Sequence, residues 1–288
     1  MFAKVLVGTD LSEPSEAVLE YVPRLMKVGL REVVLAHVVY VAGAAGMEQA
    51  LIDQAEADIE EQAGRLRAAG LKVTTVVELG VPAAKLARLA EEHDASALVV
   101  GSHGRSMLQR MLLGSVAMSL LHHATRPVVL VRMELCETEE GISCEVLGDE
   151  PLTHLLFPTD FSEAAGAAFE WLKYLAAESG ATVTLLHAQN TRALGHRVDD
   201  VERFNEEDRA SLELLAEELR AAGAGEVATV VEDASPAELI RRVAADKGAS
   251  MVVMSTHGRG ALQELVLGSV ALKVARTSPV PVLMIPHR

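Results

Sequence analysis

The chain repeats itself, and the repeat limits the possible folds more than any other feature. Residues 5–13 (VLVGTDLSE) return as 155–163 (LLFPTDFSE), and VVLAH ending at His37 returns as VTLLH ending at His187. HGR at 103–105 returns at 257–259 and LGSVA at 113–117 returns at 267–271, an offset four residues longer. The extra residues of the second copy are expected in its polar stretch at 195–200. The repeat divides the chain into a first domain at 1–132, a linker at 133–153 and a second domain at 154–288. The linker is acidic, holds Gly141, Gly148 and Pro151, and carries both cysteines, Cys136 and Cys144. Their spacing is wider than that of zinc-ligand pairs and no second pair exists, so they read as free thiols.

Each copy alternates strand and helix signals. In the first, residues 3–8, 33–38, 73–77, 98–101 and 127–131 are apolar and rich in β-branched side chains, as buried strands are. Between them, helices are predicted from Ser12 and Pro14, at 51–69, at 82–93 and at 115–124, with Ser12 as an N-cap and Pro14 in the first turn. The second copy repeats this order. Such alternation predicts an α/β fold: two tandem Rossmann-like domains with parallel sheets, right-handed crossovers and helices on both faces. Ligands of such sheets bind beyond the carboxyl ends of the strands. The positions to inspect are Asp10, Val38 and Gly101, then Asp160, Ala188 and Ser255.

Charge narrows the ligand class. The net charge of −15 opposes nucleic acid or an anionic membrane surface as the main partner. With aromatics at 3%, there are few platforms for base stacking. A small anion held by backbone N–H groups is compatible with that charge. The N-terminus runs directly into a strand pattern without a signal-peptide core, and few cysteines fit a reducing compartment, so the chain reads as cytosolic.

The most specific motif follows the fourth strand. Gly101 closes that strand, Gly104 lies three residues on, and after nine more residues come Gly114 and Ser115 at the head of a helix. Glycines allow close backbone approach, and a helix N-terminus offers free N–H groups with a partial positive charge, which together suit phosphate. Ser115 is expected to cap its own helix and to offer its hydroxyl to the phosphate. The loop lacks the Lys-Ser/Thr ending of a Walker loop, and its glycines do not follow the first strand as in the dinucleotide fingerprint.

These residues resemble the universal stress protein family in its tandem, ATP-binding form. The resemblance covers nearly the whole chain and rests on G-x-x-G, nine residues, then G-S, met by Gly101, Gly104, Gly114 and Ser115. It implies five parallel strands per domain in the order 3-2-1-4-5. It implies Asp10 near the ribose with Thr9 beside it, and adenine on the backbone of Val38. It implies phosphates on Gly104, Gly114, Ser115 and Val116, with His103 close by. The second half offers Thr159, Asp160, Ala188, His257, Gly258, Gly268, Ser269 and Val270, but has Ser255 in place of Gly101. A Cβ there either crowds the ribose or is harmless in ordinary strand geometry. The resulting expectation is that both halves hold nucleotide and the first binds more tightly.

The implied function is a cytosolic stress-response regulator that binds ATP, or ADP or AMP, with Mg²⁺ on the phosphates. The resemblance also implies that sheet edges pair, giving an internal pseudo-dimer of the two halves and a homodimer of chains. Two other readings stay open: a slow ATPase or adenylating enzyme of the same fold, and a chaperone-like scaffold with a vestigial pocket. No catalytic residue is assigned, since the sequence offers no positioned general base and no loop lysine. His37 and His187 read as partly buried histidines bonded to backbone rather than as catalysts.

Overall fold

The computed structural model describes residues 1–40, 48–103, 113–138, 141–148, 152–189, 198–258 and 267–287, with side chains described for all of these except 135–138, 141–145 and 198–205. The chain forms two compact units, Met1–Leu147 and Gly148–Arg288.

The first unit runs β1 (Lys4–Thr9), α1 (Glu13–Tyr21), β2 (Glu32–Val39), α2 (Glu48–Ala68), β3 (Lys72–Leu79), α3 (Pro82–Glu92), β4 (Ala97–Gly101), α4 (Ser115–His123) and β5 (Val128–Val131). Its strands are parallel and lie in the order β3-β2-β1-β4-β5. The order turns back at β1 and β4, and their carboxyl ends open the crevice in which such folds hold ligands. Val5, Leu6, Val7, Leu98, Val99, Val129 and Leu130 are almost wholly buried, which fits a sheet covered on both faces.

The second unit repeats the arrangement with β8 (His154–Pro158), α5 (Glu163–Ser179), β9 (Thr182–Ala188), α6 (Val198–Ala222), β10 (Val227–Glu232), α7 (Pro236–Asp246), β11 (Met251–Ser255), α8 (Ser269–Thr277) and β12 (Val282–Ile285). Its parallel strands lie in the order β10-β9-β8-β11-β12.

Two local differences between the units have evident causes. Helix α1 gives way to a 3-10 segment, Val22–Val28, that ends on Gly29 at φ 91°. Pro23 has no N–H to continue the α-helical ladder. The second unit lacks a proline there, and α5 runs unbroken to Gly180. The extra residues of the second copy are also not all at 195–200, a stretch whose residues 195–197 lie outside the described ones. Gly70 and Gly223 end equivalent helices, but β3 pairs Val73 with Val33 whereas β10 pairs Val227 with Val183. One extra residue therefore sits in the α6–β10 turn. There Gly225 presses against the carbonyls of Gly180 and Ala181, where a Cβ would not fit.

The stretch read as a linker carries regular structure. β6 (Met133–Thr138) and β7 (Gly141–Val146) form an antiparallel hairpin that packs on α1. The register pairs Cys136 with Ser143 and Cys144 with Leu135, so the two cysteines do not oppose each other.

Candidate functional site

The end of β1 is built around a sharp turn. Leu11 adopts φ 61° and Phe161, its counterpart, φ 58°. A left-handed conformation costs a side-chain-bearing residue about 1 kcal/mol or more. A threonine hydroxyl compensates in each unit: Thr9 Oγ1 accepts the Leu11 N–H at 3.0 Å, and Thr159 Oγ1 accepts that of Phe161 at 3.0 Å. The turn brings Asp10 and Asp160, both half-buried, to the mouth of the crevice.

Polar groups behind this turn differ between the units. Thr9 Oγ1 donates to Oε1 of the buried Gln62 at 2.9 Å, and Gln62 Nε2 donates to Glu16 at 2.8 Å. Arg65 completes the chain on Glu16 at 2.6 Å. In the second unit His187 and Gln189 converge instead on Asp208 of α6, at 3.4 and 2.7 Å. Gln62 gave no sign in the sequence, since one glutamine in an amphipathic helix ordinarily faces water.

The histidines at the ends of β2 and β9 do as expected. His37 Nδ1 lies 2.9 Å from the carbonyl oxygen of Thr9, and His187 Nδ1 lies 2.8 Å from that of Thr159. A carbonyl only accepts, so Nδ1 carries the proton, and each imidazole ties two strand ends together. Val38 is buried at the end of β2, and Ala188 is half-buried at the end of β9.

The glycine loops are closed at the neck. Gly114 N–H donates to the carbonyl of Ser102 at 2.8 Å, and Gly268 N–H donates to that of Thr256 at 2.9 Å. Each loop is thus drawn back onto its own start, and the following helix begins beside the end of β4 or β11. The hydroxyls at the neck, Ser102 Oγ and Thr256 Oγ1, meet Nδ1 of His103 and His257 at 2.9 and 2.8 Å. Ser102 and Thr256 were missed in the sequence, although a hydroxyl residue precedes HGR in both copies. Gly104 lies outside the described residues. Gly258 approaches Asp160 so closely that a Cβ would overlap Oδ2.

The helix starts correct one expectation. The N-caps are Gly114 and Gly268, not the serines. Ser115 and Ser269 are the first helical residues, with Val116 and Val270 next, and both serines are exposed. Neither serine closes its helix, so neither hydroxyl is committed to a cap. Neither helix has an acidic residue in its first turn, which leaves the N-terminal partial charge uncompensated.

Ser255 is likewise clarified. It ends β11, paired with Ile285, and its Oγ donates to the carbonyl of His257 at 2.5 Å. The side chain is 8% exposed and bonded to its own loop. Its presence is therefore no ground for ranking the two units.

The features describe a class: a tandem of doubly wound α/β units, each with an anion-suited helix start and a carboxylate at the switch point. Residues 1–132 and 151–286 match the Universal stress protein family. A universal stress protein of Mycolicibacterium smegmatis is 30% identical over 310 aligned positions, covering 99% of this chain and 97% of that one. One from Methanocaldococcus jannaschii is 27% identical, covering 46% of this chain and 96% of its own. The crystal structure of a universal stress protein from Archaeoglobus fulgidus superimposes with a TM-score of 0.78 at 26% identity, covering 99% and 98% of the two chains. The chain belongs to the universal stress protein family. Among the described residues no helix is long and apolar enough to cross a membrane.

Proposed function

We propose that the protein is a cytosolic, ATP-binding regulator whose units hold nucleotide at the carboxyl ends of their strands. The observation that supports this most is the closed neck. The Gly114–Ser102 and Gly268–Thr256 bonds place a helix start free of acidic residues at the switch point in both units. Unpaired N–H groups of that first turn suit phosphate. Ser115 and Ser269 add a hydroxyl each. Asp10 and Asp160 face the sugar, and the ends of β2 and β9 face the base. Gly258 completes the cradle of the second unit.

Mg²⁺ fits this arrangement as a companion of the phosphates. Magnesium keeps several waters and takes one or two carboxylates plus phosphate oxygens. Among the described residues no group of three His, Cys, Asp or Glu side chains is placed to hold a metal ion; as an alternative to the sugar role, Asp10 or Asp160 would turn to the metal instead. Nucleotide occupancy would alter association with another copy or another protein. Sheet-edge association, between halves and between chains, belongs to the same reading.

Calorimetric titration of nucleotide-free protein with MgATP tests it. One or two sites per chain are expected, with one lost in Gly114→Asp and the other in Gly268→Asp. A Cβ at Gly268 would stand 3.2 Å from the Thr256 carbonyl, so that variant crowds the neck and sets a carboxylate beside the phosphate site. No heat at millimolar ATP would leave the scaffold reading.

A further inference from the structure

The two units finish the end of their first strand differently. In the first, Ser15 Oγ donates to Asp10 Oδ1 at 2.6 Å and accepts the Asp10 N–H at 3.1 Å, a reciprocal pair. The Ser12 N–H donates to the same oxygen at 3.2 Å, and the Ser12 hydroxyl also bonds it. Ser12 therefore supplies no side-chain cap to α1. In the second unit Ala165 stands where the first has Ser15. The Ser162 N–H still reaches Asp160 Oδ1, at 3.1 Å. The Ser162 hydroxyl turns instead to cap α5, accepting the Ala165 N–H at 3.2 Å. Asp160 Oδ2 lies against Gly258 of the glycine loop.

Three donors on one oxygen fix the Asp10 carboxylate before any ligand arrives. Ser15 is buried, so this clamp is not exchanged freely with water. A group fixed in advance loses less freedom on binding and discriminates more sharply than one that must settle. A carboxylate only accepts hydrogen bonds. Beside a phosphate cradle it repels phosphate oxygens and takes hydroxyl donors, and those of a nucleotide are on its sugar.

We infer that Ser15 is a positioning residue that holds Asp10 for the sugar hydroxyls, so that the first unit distinguishes ribose from 2′-deoxyribose more sharply than the second. The inference rests on the nucleotide reading above. It replaces Ser255 with Ser15 as the source of inequality between the units.

The test is calorimetric titration of the full chain with MgATP and with its 2′-deoxy analogue. A Gly268→Asp background isolates the first unit and a Gly114→Asp background the second. In the first background the protein is expected to prefer ATP about tenfold, the value of one well-placed hydrogen bond. Ser15→Ala should bring that ratio to within about twofold of unity, and Ser15→Thr, which keeps the hydroxyl, should preserve it. In the second background Ala165→Ser should raise the ratio several-fold. This gain is readable even where Ser15→Ala fails to fold. A ratio unmoved by Ser15→Ala, or by Ala165→Ser where only that variant folds, overturns the inference and leaves nucleotide binding standing. So does equal binding of both nucleotides in the first background. A wild-type chain that binds no ATP removes the nucleotide reading and the inference with it.

Discussion

Met133 occupies the space that a side chain at Gly101 would need. A Cβ on Gly101 would stand 2.7 Å from Cε of Met133, 3.1 Å from the His103 carbonyl oxygen and 3.2 Å from Val18 Cγ2. Met133 opens the hairpin strand β6. The glycine of the first copy and the serine of the second thus answer to different neighbours. Gly101→Ser should destabilise the first unit by about 1 kcal/mol, the low end of overpacking, because Met133 Cε ends a flexible side chain that can swing aside. Met133→Ala in the same chain should recover part of that loss. Ser255→Gly, which removes one bond to the His257 carbonyl, should cost about 1 kcal/mol. Denaturant unfolding of these three variants and of Met133→Ala alone checks this, and additive effects of Gly101→Ser and Met133→Ala would show that the two sites do not couple.

That relationship shows what the sequence could reveal. The alternation of apolar strands and amphipathic helices is written locally, so the parallel α/β class and the position of the glycine motifs were readable, whereas the order 3-2-1-4-5 came only from the family resemblance. Asp10 and His37 recur in both copies at strand ends, which marked them in advance. The partners that set their geometry were not readable. Gln62 reaches Thr9 from another helix, and Met133 reaches Gly101 from a stretch that reads as a linker. Neither contact leaves a local pattern. The N-cap was misplaced by one residue because serine is the commoner cap. Here the bond from Gly114 to Ser102 fixes the chain before Ser115 enters the helix.

Tyr21 should be better replaced than kept, as far as stability goes. Its side chain is fully buried, and its hydroxyl has no hydrogen-bond partner among the described residues. Burial pushes its phenol well above the ordinary tyrosine range. A buried hydroxyl without a partner carries a desolvation cost of about 1–3 kcal/mol. Tyr21→Phe keeps the ring and removes that cost, so the variant should unfold at an equal or higher temperature. A drop in melting temperature would mean that the hydroxyl is satisfied in solution.

His154 should make the second unit sensitive to acid. Its Nδ1 lies 3.0 Å from the Lys247 carbonyl, and its Nε2 lies 2.8 Å from the Thr184 hydroxyl. Burial is the main cause that holds its pKa below the ordinary 6.5; the Lys247 carbonyl pulls the other way. Between the lowered folded value and the unfolded value, the unfolded chain binds more protons. Stability therefore rises with pH through that window and flattens above about 6.5. His154→Gln should reduce the slope between about pH 5 and pH 6.5, a range above most carboxylate titration. Unfolding free energies across that range would show it, and an unchanged slope would assign the effect to other groups.

The outer strands β3 and β10 carry a matched guard. Arg67 Nη2 donates to the Val73 carbonyl at 3.3 Å, with Nη1 on Glu60 at 2.6 Å. Arg220 does the same to Val227 at 3.2 Å, with Nη1 on Glu213 at 2.6 Å. These carbonyls face away from the neighbouring strand. Lys72 N–H bonds the Arg31 carbonyl on the inner side, and Val183 N–H bonds that of Glu226, so the next residue in each strand points outward. KVTTVVEL and VATVVE are β-branched, free of proline and suited to pairing with another strand. The guanidinium takes the first outward acceptor of each edge. Removing both arginines as Arg67→Ala with Arg220→Ala should change folding stability by about 1 kcal/mol or less, as for other exposed pairs. It should nonetheless increase the sedimentation coefficient with protein concentration beyond that of the parent. Lysine at both positions should restore only part of the protection, since an ammonium cannot span glutamate and carbonyl with one planar fork. Identical sedimentation of parent and double variant at unchanged melting temperature would show that the edges need no such guard.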